Sequence, residues 1–216
     1  MRFLAVLFAL ALGACSEPDV APVLDEEAFA LLSHVDKYAL EDAFALADRD
    51  GYTADVIVTT LEDGAAVSRD SSVVTTDDPG VLDADGGSLL LRDPIDQALS
   101  DDPPYLDPSV REAYAMRVLG DTTIGGVRFQ RVQAVLTDTT RELGLKRVWA
   151  AVDDRGRVGA LEVDRRSDSA IFRERSTVRA VLAPDDDWRP RRVVTDTWTD
   201  VPLSEPRHVR VEWTVR

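Results

Sequence analysis

One cysteine, two lysines and two histidines are all that 216 residues contain of those three types, and aromatic residues make up only 6%. A lone cysteine, Cys15, excludes an internal disulfide, so packing alone must hold the fold. Two histidines, His34 and His208, leave little material for a Ser-His-Asp triad or a histidine-rich metal centre. Neither stands in a recognisable motif. No apolar run is long enough to cross a bilayer as a helix, which takes about 20 residues; the longest, Phe3 to Leu12, is about half that. The expectation is a protein that is not an enzyme and that needs no cofactor and no metal.

Negative charge is abundant. The formal net charge is −15, carried by 29 Asp and 11 Glu against 23 Arg and 2 Lys. Such a chain is repelled by phosphate backbones, which argues against nucleic acid as a partner. An Asp-rich, Lys-poor surface suits strong salt, where screening relieves self-repulsion, and it also suits a GC-rich genome whose codons favour Asp and Arg. The Asp-rich loops do not fit calcium. Aligning Gly51 or Gly86 with the invariant glycine of an EF-hand puts Ile57 or Arg92 where a carboxylate must stand.

Arg2 followed by Phe3–Leu12 has the flanks and length of a secretory signal. The next residues, Leu12-Gly13-Ala14-Cys15, resemble the bacterial lipobox, in which the cysteine sulfur is acylated and the leader then removed. The resemblance implies a signal peptide over 1–14, lipid attachment at Cys15, and a tether over 15–23 ahead of one domain, 24–216. More than one acyl chain gives stable membrane anchoring. Ser16 after the cysteine, by resemblance to the enterobacterial sorting rule, implies release to the outer membrane, facing the periplasm. Removal of Arg2 with the leader would change the net charge from −15 to −16.

Within the domain, Asp25 to Gly51 reads as helix. Acidic residues open it and an apolar stripe runs from Ala28 to Leu46, with a break expected near Leu40. From Tyr52 the period changes to two. Strand patterns flank Leu61-Glu62-Asp63-Gly64, a hairpin signal, and the apolar run Gly86–Pro94 is a further short strand. After a proline-rich excursion, seven more strand patterns follow to the end of the chain. Asp153-Asp154-Arg155-Gly156 is a turn among them. In the last strand Val209, Val211, Trp213 and Val215 point one way, and Arg210, Glu212 and Thr214 the other. The fold expected is mainly β with an N-terminal helix: about ten antiparallel strands in a curved, unclosed barrel around the helix. A closed barrel and a two-sheet sandwich are the alternatives.

Tyr114 onward carries a second resemblance. A strand leads to Leu119-Gly120-Asp121 and Ile124-Gly125-Gly126, then an alternating strand, a strand ending Arg147-Val148-Trp149, and a turn with Asp154 and Gly156. Trp188-Arg189-Pro190 precedes a later strand. This resembles the superfamily of the periplasmic lipoprotein carrier, the outer-membrane lipoprotein receptor and the lipoprotein-sensing regulator of the envelope-stress sigma factor. The resemblance implies a half-barrel whose hydrophobic cavity accepts acyl chains or the lipidated ends of proteins, in lipoprotein sorting. It also implies a membrane-touching apolar loop, for which Leu89-Leu90-Leu91 is the candidate; a buried strand is the other reading of that run.

Aromatic residues on alternating strands, Phe129, Trp149, Phe172, Trp198 and Trp213, are the cavity-lining candidates; plain core packing is the alternative. Arg173, Arg175 and Arg179 share one strand face, read as a solvated row paired with acids. Glu174 falls on the opposite, apolar face, where a carboxylate must be paired or reach a wet cavity, which makes it a sixth candidate. A non-catalytic structural or sensing protein of the envelope that binds another protein is the competing function, and a hydrolase with an Asp or Glu site is the third.

Overall fold

The computed structural model describes residues 24–44, 53–75, 103–169, 171–184 and 188–215. Cys15, the tether, the Gly86–Pro94 run and the Asp-rich loops at 48–51, 83–86 and 185–187 lie outside them. The described elements are helices α1 (Glu26–Ser33) and α2 (Lys37–Phe44), then strands β1 (Thr53–Glu62), β2 (Ala65–Thr75), β3 (Tyr114–Ile124), β4 (Val127–Leu136), β5 (Leu145–Val152), β6 (Val158–Asp168), β7 (Arg173–Ala183), β8 (Arg189–Asp200) and β9 (Arg207–Val215). A 3₁₀ turn, Arg111–Ala113, leads into β3.

All nine strands form one antiparallel, unclosed, curved sheet in the order β2-β1-β9-β8-β7-β6-β5-β4-β3. Strands β3 to β9 are a meander, each pairing with the next. The β1–β2 hairpin joins at the far side, β1 against β9. This is the expected half-barrel; the tenth expected strand is the run outside the described residues. The β1–β2 turn is the one its residues announce: Asp63 and Gly64 both have positive φ, 50° and 80°, as a two-residue hairpin turn of the right twist requires.

The helices cover one face of the sheet, here the inner face. Ala28 and Leu32 of α1 are sealed against Met116, Val132 and Ala134 of β3 and β4, while α2 packs towards β8. The main core continues along the inner face through Val148, Leu161, Val163, Val178, Ala180 and Val193, each at most 2% exposed. Tyr105 is fully buried and meets Tyr114 edge-on, and the Tyr114 hydroxyl donates to the Leu145 carbonyl across the sheet end. Burial raises the ionisation of both phenols far above the usual tyrosine range, so both stay neutral.

The helical segment breaks at His34–Asp36 rather than near Leu40. Asp36 caps α2, its carboxylate accepting the Ala39 N–H at 3.0 Å, and its own N–H donates to the Gly156 carbonyl at 2.8 Å. The break therefore exists to dock the β5–β6 turn, a partner about 120 residues away in sequence.

Asp25 closes the other edge. One carboxylate oxygen caps α1, accepting from Glu27 N at 2.9 Å and Ala28 N at 3.3 Å; the second accepts from Val118 N on β3 at 3.3 Å. Leu24 forms a parallel bridge with Met116, so residues 24–25 cover the edge strand's first half. Asp25→Ala removes a cap and orphans a strand N–H, and should lower stability by about 2 kcal/mol in chemical denaturation. Asp25→Asn should recover only the cap's share, because its amide nitrogen cannot accept from Val118. Equal stability of all three proteins would contradict this role.

Candidate functional site

On the inner face, the strands under α1 are fully buried, whereas β1 and β9 also carry half-buried positions, packed against the core that α2, Val193 and Trp213 share. Cross-strand pairs there are Val58 with Val211, Thr60 with Val209, and Ala54 with Val215. Val58, Val209, Val211 and Val215 are each half-buried, an apolar row along the sheet. Its floor is Val56 and Trp213, 1% and 5% exposed, beside Val193. Towards the β6–β7 and β8–β9 loops the row turns polar, through Thr195, Thr197 and Thr199 on β8 and Ser176 and Glu174 on β7. The result is a strip along the concave inner face, here the trough, apolar at one end and polar at the other.

Three donors on this face are buried without a hydrogen-bond partner: the Trp213 Nε1–H, the Ser176 hydroxyl and the Arg165 Nε–H. Arg165 and Ser176 are directly paired across β6 and β7. An orphan donor in such a place costs about 1–3 kcal/mol. A ligand oxygen entering the trough would relieve that cost.

The six candidates named from sequence do not share a surface. Trp213 and Glu174 lie on the inner face. No bulge interrupts β7 between Glu174 and Val178, so the alternation that placed Glu174 on the apolar side holds, and it is half-buried. Phe172, half-buried, precedes β7, and its carbonyl accepts from Ser169 N. Phe129, Trp149 and Trp198 lie on the outer face. Phe129 is 1% exposed in a small second core with Ala151 and Ala160, against Trp149 and Trp188. Its ring sits over Gly159, where an added Cβ would come within 2.5 Å, and meets Trp188 edge-on at 5.9 Å. The Arg157 guanidinium stacks on the other aromatic, 4.1 Å from the Trp188 ring. Trp198 is half-buried with Arg175 at 5.4 Å from its ring. The valine row was within reach of the sequence, since the alternation of β9 exposes it; the orphan donors were not.

The rest of the outer face is a lattice of paired charges. Arg147 binds Asp164 and Glu162, and Glu162 also binds Arg179. Asp196 holds His208 and Arg210, Glu212 holds Arg192, and Asp200 faces Arg173. Burial opposes the charge on Arg179, but Glu162, Asp164 and Asp196 outweigh it and raise its pKa. Of the arginine row, Arg173 and Arg179 are thus paired with acids on the outward face while Arg175 lies over Trp198, and His208 shares that face. His34 is exposed, with its Nδ1 against the Ala30 carbonyl.

At the opposite end of the sheet from Glu174, an open crevice of about 360 Å³ runs between α1 and the β5–β6 turn, its rim carrying Glu27, His34, Gln130 and Asp154. Asp153, almost wholly buried in that turn, accepts from Arg155 N and Arg157 N and pairs with the Arg157 guanidinium. Among the described residues no three His, Cys, Asp or Glu side chains are grouped to hold a metal ion, and no helix is long and apolar enough to cross a membrane.

In the β4–β5 loop, Asp138 accepts from the Thr140 hydroxyl and amide, and these bonds hold its carboxyl below the usual aspartate range. Because the folded pKa is depressed, this loop contact is present above the unfolded value and lost as pH falls through the folded one. The Thr140 amide resonance should therefore titrate with a midpoint below 3.8. A midpoint at the ordinary value would show that the bond is absent in solution.

Fold and trough define an unclosed β half-barrel with helices across part of its inner face. No protein-family model matches the chain, and no curated protein matches it. Among solved structures the chain is similar to a crystal structure from Vibrio parahaemolyticus, provisionally described as an outer membrane lipoprotein-sorting protein domain. The match has 11% identity and a TM-score of 0.26, and covers 82% of this chain and 88% of that one. At that level the likeness is one of coarse chain trace.

Proposed function

We propose that this chain is an envelope lipoprotein, held at the outer membrane through Cys15, that takes an acyl chain or the lipidated end of another protein into the trough. The carrying observation is the half-buried valine row of β1 and β9 beside three unsatisfied donors. A hydrocarbon tail suits the valines and Trp213; the ester, amide or carboxylate oxygen at its head is the acceptor that Ser176 and Arg165, level with each other at the polar end, lack. No nucleophile or base is asked of the site, so the mechanism is binding and handover without covalent chemistry, in lipoprotein sorting or transport.

Its test is a titration at high salt with a fluorescent fatty acid, together with native mass spectrometry of the purified chain. Saturable one-to-one binding, displaced by a lipidated peptide, is expected. No bound lipid and no saturable binding would remove the reading.

The second reading is a structural or sensing lipoprotein that binds another envelope protein. The sealed inner face beneath α1 and the polar-rimmed crevice at the β5–β6 turn favour it. A chain that captures a folded envelope protein but ignores acyl chains would move the function there.

A further inference from the structure

The β8–β9 loop contains a residue that local conformation does not explain. Val201-Pro202-Leu203-Ser204 is a tight turn closed by the Ser204 N–H to the Val201 carbonyl at 3.1 Å. Proline at its second position is favourable, but the third position has φ 72° and is occupied by leucine. A turn of this kind calls for glycine or asparagine there. Leucine accepts the left-handed backbone at a cost and gains no packing in return, since it is 108% exposed. Its side chain is held outward on a proline-stiffened tip.

Two more apolar side chains stand exposed at the same end. The pairing of Asp168 with Arg173 and of Arg173 with Asp200 brings the β6–β7 and β8–β9 loops level. The loops are two strand spacings, about 10 Å, apart. Ile171 on the first is 74% exposed and Val201 on the second 41%. At this end Arg166 binds Asp168 and Arg173 faces Asp200, while Glu62 and Asp63 of the adjacent β1–β2 turn stand exposed beside the β8–β9 loop. The end is thus apolar at the tips of these two loops, with its charges set back from them on the strand ends.

The direction of the N-terminal chain says what these tips meet. Leu24 and Asp25 run parallel to β3 from Met116 towards Val118, so the described chain begins pointing away from the Tyr114 end of that strand. That is the end at which Ile171 and Leu203 stand, because Tyr114 pairs with Leu136 and the meander carries that level across to Arg173 and Asp200. The nine residues 15–23 span at most about 30 Å when extended. We infer that Leu203, Val201 and Ile171 are a lipid-facing tip, which enters the surface of the bilayer that holds Cys15 and sets the trough's polar end towards that membrane. This rests on the anchored-lipoprotein reading and uses a different part of the chain from Leu89–Leu91.

The experiment uses the full chain, produced with its leader and reconstituted into vesicles of phosphatidylethanolamine with a minor share of phosphatidylglycerol. A nitroxide is placed at Leu203→Cys, and at Asp154→Cys on the opposite end as the aqueous reference. Both positions are exposed, and matching circular dichroism spectra confirm that the variants fold. The expected result is loss of contact with an aqueous nickel chelate and gain of contact with oxygen at 203, relative to 154. A label at 203 as aqueous as that at 154, on vesicle-bound protein, overturns the inference. The mass of the N-terminal peptide is read in the same sample. An unacylated Cys15 on a chain that stays off the vesicles would overturn the anchor together with the tip, whereas an acylated Cys15 with an aqueous tip removes the tip alone.

Discussion

Gly156→Ala is expected to destabilise the fold by about 4 kcal/mol. Gly156 sits in the β5–β6 turn at φ 81°, a left-handed backbone that costs an alanine about 1–2 kcal/mol. The larger part is steric. A Cβ there would lie 2.0 Å from the His34 carbonyl oxygen, 3.1 Å from its carbon and 3.3 Å from Asp36 N. These are backbone atoms at the junction of α1 and α2, so no side chain can rotate away. Relief requires the turn and the helices to separate, and separation breaks the Asp36 N–H bond to the Gly156 carbonyl. Leu32 before that junction and Val35 within it, 1% and 6% exposed, would lose their packing. Urea denaturation of the variant checks the figure, and a loss below about 1 kcal/mol would show that the turn is not docked.

Val211→Asp should weaken acyl binding about thirtyfold, the equivalent of ~2 kcal/mol, while leaving the fold intact. Val211 stands in the middle of the valine row, opposite Val58 and beside Thr195. It is half-buried, so a carboxylate there keeps its water in the free protein and must shed it only when a hydrocarbon tail enters. The paired control is Trp198→Ala on the outer face, which should leave acyl binding unchanged. Unchanged binding for Val211→Asp, or a loss confined to Trp198→Ala, would move the site to the other side of the sheet.

The contrast between Val211 and Trp198 marks what was legible in the chain. Strand β9 alternates apolar and charged residues, so its dry side could be read directly. The hairpin at Asp63-Gly64 and the turn at Asp153–Gly156 announced themselves through turn chemistry, which is local. Strand β5 is different: Val148, Trp149, Ala150, Ala151 and Val152 are all apolar, and a period-two reading finds no face in such a run. A register shift at Ala151/Val152 then changes the phase again. Trp149 was therefore placed by its chemistry alone, and the fold turns it outward into the small core with Phe129. Gly159 leaves room for that ring, and no neighbour in sequence says so.

The helix break and the site's donors were hidden for a related reason. His34–Asp36 breaks where Gly156 docks, and the stripe of apolar residues through α1 and α2 carries no trace of that contact. Ser176 and Arg165 look like ordinary strand residues. Only their pairing across β6 and β7, on the face shared with Trp213, groups them as unsatisfied donors.

The most direct measurement is photo-crosslinking with a palmitate analogue that carries a diazirine near its tail and a second one that carries it near its carboxylate, followed by peptide mapping. If the trough is the site, the tail probe marks Val58, Val211 and Trp213, and the carboxylate probe marks the Ser176 and Arg165 segment. Labelling of the Phe129 and Trp149 cluster on the outer face, or labelling spread over both faces without saturation, would contradict the account.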